Sequence, residues 1–203
     1  MNRVITSTSD AITESFIKLA ISRLGQPPVK FAFMSLGSQA RGEQTFVTNQ
    51  DNALVFEDVD KTKEKEIQAY FLKLSEKVSA WLDASGYPFC AGGVMAKNST
   101  WCQPLATWKK YFKKWSEFNN PQDLIDVNIF FDFRCLYGDI AITKDLRKTV
   151  FEIISGKSIF FINMAQNGYI LKKYGLKIYG SPTSTARKRI EVHTSFYFLR
   201  AFL

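Results

Sequence analysis

The chain has 203 residues, 46% of them hydrophobic and 15% aromatic, which is enough for a packed core in one or two domains. It lacks both an apolar run long enough to span a membrane and the apolar stretch of a signal peptide, so a cytoplasmic protein without membrane contact is expected. Three scattered cysteines (Cys90, Cys102 and Cys135) and a single histidine, His193, form neither a disulfide framework nor a zinc site, and the net charge of +8 gathers in residues 139–203, where eleven Lys and Arg face four Asp and Glu. A solvated helical surface is the preferred reading of that charge, and a face for nucleic acid, a nucleotide or an acidic partner is the alternative.

The apolar spacing of Ile12, Phe16, Leu19 and Ala20 predicts a helix over 8–24, stopped by Gly25 and Pro27-Pro28. Residues 30–36 read as a strand. A sharp turn follows at Gly37-Ser38, then a short polar helix over 38–45, then a second strand over 50–57. Glycine tolerates the dihedrals of such a turn and lets a ligand approach the backbone. Ser38 is expected to cap the short helix, whose free N–H groups would suit an anion, and Arg41 adds a fork suited to phosphate. Residues two apart on a strand share a face, so positions 49 and 51 should project together. A carboxylate pair there would suit magnesium against a triphosphate, but the chain has Asn49 beside Asp51.

A long helix is predicted over 61–84, with Asp60 or Thr62 as its cap, from Ile67, Phe71, Leu74, Val78 and Leu82. Residues 86–100 form a loop in which Gly92-Gly93 permits close approach of another segment or of a ligand; accommodation of a segment is preferred. Leu105, Trp108, Phe112 and Trp115 share one side of a helix over 104–117 and are read as core rather than as a base-stacking platform. The run 124–133 reads as a strand that places Asp126, Asn128, Phe130 and Asp132 on one face. A carboxylate in so apolar a run must be paired or bound to metal. An Asp132–Arg134 salt bridge and a metal site remain equal alternatives on residue chemistry alone. Helices are predicted over 139–155, 158–173 and 189–203, with a loop at 179–188. His193 is read as a helix-face residue. The pattern stops at Leu203 without a cap, so the sequence is expected to continue or to be covered by a partner. No internal repeat, low-complexity tract or linker is seen.

The run GSQARGEQT…NQDNALVF resembles the DUF294 nucleotidyltransferase-like domains, relatives of the bacterial PII-protein uridylyltransferase in the polymerase-β nucleotidyltransferase superfamily. The resemblance continues through Cys90-Ala91-Gly92-Gly93-Val94-Met95-Ala96-Lys97-Asn98, Trp101, Trp108 and Trp115, and through Phe130-Phe131-Asp132-Phe133-Arg134 with Gly138-Asp139. It implies an α/β (α+β) fold, a small mixed sheet flanked by helices, over residues 1–138, followed by a C-terminal helical domain over 139–203. It further implies an NTP substrate and Mg²⁺ or Mn²⁺ at the Gly-Ser turn. Gly37 and Ser38 would bind triphosphate oxygens, Arg41 phosphate or the turn itself, and Glu43 would hold the turn. Asn49, Asp51 and Asp132 would be the metal positions, with Asp51 and Asp132 catalytic, and Gly92, Gly93 and Asn98 would line the cleft. The family pattern at 49–51 is Asp-Gln-Asp. Asn49 departs from it, and a neutral amide is a weaker magnesium ligand than a carboxylate.

The expected activity is transfer of a nucleoside monophosphate from an NTP to a protein or small-molecule acceptor in a signalling setting. CBS or cyclic-nucleotide-binding modules would be neighbours in a longer protein. A non-catalytic nucleotide-binding or protein-interaction module is the competing expectation, motivated by Asn49. Nucleic-acid binding rests on charge alone and is not expected.

Overall fold

The computed structural model describes residues 1–117, 126, 129–155 and 157. The helices read at 158–173 and 189–203, the loop at 179–188 and His193 lie outside the described residues. In chain order the elements are α1 (Asn2–Leu24), β1 (Phe31–Leu36), α2 (Gly37–Ala40), β2 (Asn52–Phe56), α3 (Lys61–Ala84), a 3₁₀ turn (Ser99–Trp101), β3 (Cys102–Pro104), α4 (Leu105–Trp115), β4 (Phe133–Gly138) and α5 (Ile140–Ile154). The mixed α+β layout expected from the sequence is present.

The four strands form one mixed sheet in the order β3-β2-β1-β4, with β1 antiparallel to both neighbours and β3 parallel to β2. β1 is central and buried along its whole length, and its side chains alternate between two cores. Phe31 and Phe33 join Leu54 and Phe56 of β2 under α1 and α3, through Ile17, Ala20, Phe71, Leu74 and Val78. Ala32, Met34 and Leu36 join Ala53 and Val55 under α4 and α5, through Trp108, Phe112, Trp115, Leu146 and Val150. Burial on both faces explains why these strands read as unbroken apolar runs. The stripe on α4 is core, as expected: Trp108 is fully buried and donates its indole N–H to the Leu54 carbonyl at 3.1 Å.

Four local readings change, the first being that the helix expected over 8–24 begins already at Asn2. Of the strand expected over 124–133, residues 124, 125, 127 and 128 lie outside the described residues; Asp126, Ile129 and Phe130 are helical, and β4 begins at Phe133. A short apolar run carries no period that separates strand from buried helix, and pairing with β1 decides: Leu36 is opposite Phe133. The helix expected over 38–45 is only the four residues of α2, because Gly42, at φ 72°, turns the chain out of it. β3 was not anticipated; three residues are too few to show alternation.

The domain boundary expected between residues 138 and 139 falls at a tight crossing. A Cβ on Gly138 would lie 2.2 Å from the Phe31 carbonyl oxygen, and its φ is +102°, so a side chain does not fit. Asp139 then caps α5 by accepting the Ala141 N–H at 2.9 Å. The buried side of α5 (Ile142, Leu146, Val150 and Ile154) packs on the sheet core itself.

Candidate functional site

β1 ends where its two neighbours begin. Successive backbone N–H groups of a strand point to opposite sides, and here the last ones tie down both acidic positions. Leu36 N–H donates to the Asp51 carbonyl at 3.1 Å, on the β2 side. Gly37 N–H donates to the Asp132 carbonyl at 2.9 Å, on the β4 side. Gly37 opens α2 at φ 52°, a left-handed conformation that favours glycine. Ser38 is already inside α2, whose N-cap is Leu36, and no side chain caps this end, so the capping role expected of Ser38 is not present. The half-buried Ser38 instead offers its carbonyl to the Glu43 N–H at 2.9 Å, closing the turn.

On the β2 side, Asn49 and Asp51 do meet: Asn49 Nδ2–H donates to Asp51 Oδ1 at 3.1 Å. Burial pushes the Asp51 carboxyl above its ordinary value, and hydrogen bonds from Cys90 and Asn49 only partly offset this. Both partners are neutral. Burial and the nearby Asp51 charge in turn push the Cys90 thiol up, so it stays protonated. Gln50, between the two, is a structural anchor. Its side-chain amide donates to the Ser79 and Tyr87 carbonyls at 2.9 and 2.8 Å, and its N–H to Pro88. Asn52 fastens the following loop by accepting the Ala96 N–H at 2.8 Å and donating its own N–H to Val94.

Within that loop Gly92 is exposed and Gly93 is half-buried at φ 68°. Asn98 donates weakly to the Gly93 carbonyl at 3.4 Å and caps the 3₁₀ turn by accepting the Thr100 N–H at 3.0 Å. Gly93 and Asn98 thus hold each other. The loop is joined to the Asp51 side through Cys90.

On the β4 side, Asp132 is 7% exposed and lies just before the strand. Its Oδ2 accepts from Arg41 Nη1 at 2.8 Å, and Arg41 Nε donates to Glu43 at 2.9 Å. Burial works against the Arg41 charge, but Glu43 and Asp132 outweigh it and hold the guanidinium above its usual value. The Asp132–Arg134 pair expected as one alternative is not formed. Strand parity does not apply to Asp132, which precedes β4, and Arg134 turns instead to Asp10 of α1 at 2.6 Å and to the Gln39 carbonyl at 3.2 Å. Gln39 also donates to Asp10 at 2.9 Å, so α1 braces α2 from behind. Sequence reading passed over this brace and Arg147 of α5. Arg147 donates to the Phe131 carbonyl at 2.8 Å and also to that of Phe133, and burial lowers its pKa to about 10. A charged residue at a position facing the core of an amphipathic helix was the available signal.

Magnesium is commonly held by one or two carboxylates, with substrate phosphates and water completing its shell. Asp51 fits that pattern: it is a desolvated carboxylate with neutral neighbours. Asp132 fits less well, because Arg41 already neutralises its carboxylate. No group of three or more His, Cys, Asp and Glu side chains able to hold a metal occurs among the described residues.

A family model described as "Putative nucleotidyltransferase DUF294" matches residues 1–122, more than half of the chain. The chain belongs to this family. The match includes Gly37, Ser38, Arg41, Asn49 and Asp51 and ends before Asp132 and Arg147. No curated protein and no solved structure matches the chain. Among the described residues, no helix is long and apolar enough to cross a membrane.

Proposed function

We propose that this domain transfers a nucleoside monophosphate from an NTP to a hydroxyl of a protein or small-molecule acceptor. The observation that carries the reading is Asp51: a half-buried, desolvated carboxylate with neutral partners, bonded through its main chain to the last residue of β1, one position before the Gly37 turn. Family membership supplies the reaction class. The acceptor oxygen would bond to the α-phosphorus as the α–β phosphoanhydride bond breaks. Pyrophosphate would leave, and the hydroxyl proton would pass to a carboxylate base or to water.

The geometry supports a role for each residue. Asp51, with the Asn49 side-chain oxygen after rotation of its amide, would hold Mg²⁺ or Mn²⁺ together with phosphate oxygens. Such an ion supplies charge neutralisation for the transferring phosphoryl group. Gly37 spends its N–H on Asp132. Its contribution would therefore be the bare backbone surface of the turn, with the Ser38 N–H and hydroxyl as donors to the triphosphate. Arg41 and Glu43 would brace the turn rather than reach the phosphates. Asp132 would hold the β4 side and act as the base on release from Arg41. Gly92, Gly93 and Asn98 would form the cleft wall opposite. A signalling role beside CBS or cyclic-nucleotide-binding modules extends this proposal.

A second reading has its own support. Asn49 and the Arg41–Asp132 pair leave Asp51 as the one acidic group of the proposed metal set without a cationic partner in hydrogen-bond contact. This favours a regulatory module that binds nucleotide without turnover. Calorimetry with NTP and Mn²⁺, alongside release of pyrophosphate, separates the two. Binding with turnover supports the transferase, binding alone the regulatory module, and no binding removes both.

A further inference from the structure

The main-chain carbonyls of Phe131, Asp132 and Phe133 each have a partner. Gly37 N–H takes that of Asp132 at 2.9 Å. The two outer ones, of Phe131 and Phe133, both take Arg147, the Phe131 bond being 2.8 Å long. The Arg147 guanidinium also lies over the Phe133 ring, 3.7 Å from its centre. Phe131 and Phe133 are themselves buried, at 1% and 4% exposure, so water cannot replace these bonds. A guanidinium suits the task because it is planar and carries several donors in a fixed fork; an ammonium is a point donor. Arg147 comes from α5, beyond the residues matched to the family, and the Asp132 charge also acts on it.

We infer that Arg147 is a positioning residue, clamping the Phe131–Phe133 turn so that Asp132 stays seated against Gly37 and Arg41. The clamp itself stands on these contacts; only its consequence for turnover rests on the transferase reading. Through it, α5 governs the geometry of the β4 side of the site.

Two adjacent amides provide the test. Gly37 N–H reports on the Asp132 side and Leu36 N–H, bonded to Asp51, on the other. Hydrogen exchange on the ¹⁵N-labelled full chain is compared between wild type, Arg147→Lys and Arg147→Met. The expected result is exchange about tenfold faster at Gly37 in Arg147→Lys, with Leu36 changed by less than about twofold. Unchanged exchange at Gly37, or equal acceleration at both amides, overturns the inference. Arg147→Lys decides alone if Arg147→Met does not fold. Where wild type turns over NTP, Arg147→Lys is expected to lower kcat about tenfold with KM for NTP unchanged. A raised KM with unchanged kcat contradicts the positioning role. Absence of turnover in wild type counts against the transferase reading and leaves the exchange result standing.

Discussion

Arg41 donates to Asp132 across 91 positions of sequence, at 2.8 Å, with both side chains largely withdrawn from water. The residue best suited by type to a phosphate is thus committed to a carboxylate. The third acidic position of the proposed site is correspondingly neutralised. The pair links α2 to the start of β4 and makes the Gly37 turn one unit with Asp132.

Arg41→Ala takes from Asp132 and Glu43 a charged hydrogen-bond partner, while the Arg147 charge still acts on Asp132. It should destabilise the fold by about 1–3 kcal/mol, read by urea denaturation. Arg41→Lys should rescue it only in part, since one ammonium does not reproduce the fork that serves both Asp132 and Glu43. Full stability in Arg41→Ala would show that the pair contributes little.

Asp51 gives a prediction of opposite sign. Its folded pKa is raised above the ordinary 3.8 by burial. The native state then holds the proton more tightly than the unfolded state, so ionisation costs stability above the raised folded value. That cost disappears as pH falls through the folded value towards the unfolded one. Asp51→Asn should raise Tm at neutral pH, and the gain over wild type should shrink to nothing below about pH 3.8. A variant less stable than wild type at pH 7 would contradict the account of Asp51. Stability gained at the cost of function is common where a site holds a desolvated charge.

Asn49→Asp would place a second carboxylate against Asp51, where the amide now donates at 3.1 Å. Without metal the two charges repel, and the variant should lose about 1–2 kcal/mol at pH 7. With Mn²⁺ it should regain this and bind the ion about tenfold more tightly than wild type, or ~1.4 kcal/mol. Thermal shift with and without Mn²⁺ checks both halves. A variant indifferent to Mn²⁺ would mean that the two side chains do not share an ion.

Trp108 tests the core beneath the site. It is fully buried, touches the rings of Trp101, Phe112, Trp115 and Phe130, and bonds to Leu54 of β2. Trp108→Ala should cost about 3–5 kcal/mol. Trp108→Phe should cost less and isolate the loss of the indole bond. Chemical denaturation distinguishes the two.

What the sequence made legible was what repeats with a period or turns on one residue. α3 falls on the expected span and α1 ends at Gly25 as expected, because apolar spacing and a helix-stopping glycine are local signals. Asn49 and Asp51 meet as expected, although both precede β2. Partners of charged residues were not legible. Arg134 lies two positions from Asp132 yet turns to Asp10, and Arg41 reaches Asp132 from far away, because burial and strand pairing set these choices. The 124–133 run failed for a related reason: Phe130, Phe131 and Phe133 fill one core on both sides of a turn and so mimic a strand. Arg147 could be recognised only once α5 was seen packed on that turn.

Label transfer decides the central claim most directly. The full chain is incubated with each NTP labelled at the α-phosphate, Mg²⁺ or Mn²⁺, and candidate protein and small-molecule acceptors, and pyrophosphate release is followed in parallel. The account predicts acceptor labelling with stoichiometric pyrophosphate, reduced at least about a hundredfold in Asp51→Ala. Labelling that persists at the wild-type rate in Asp51→Ala would contradict it.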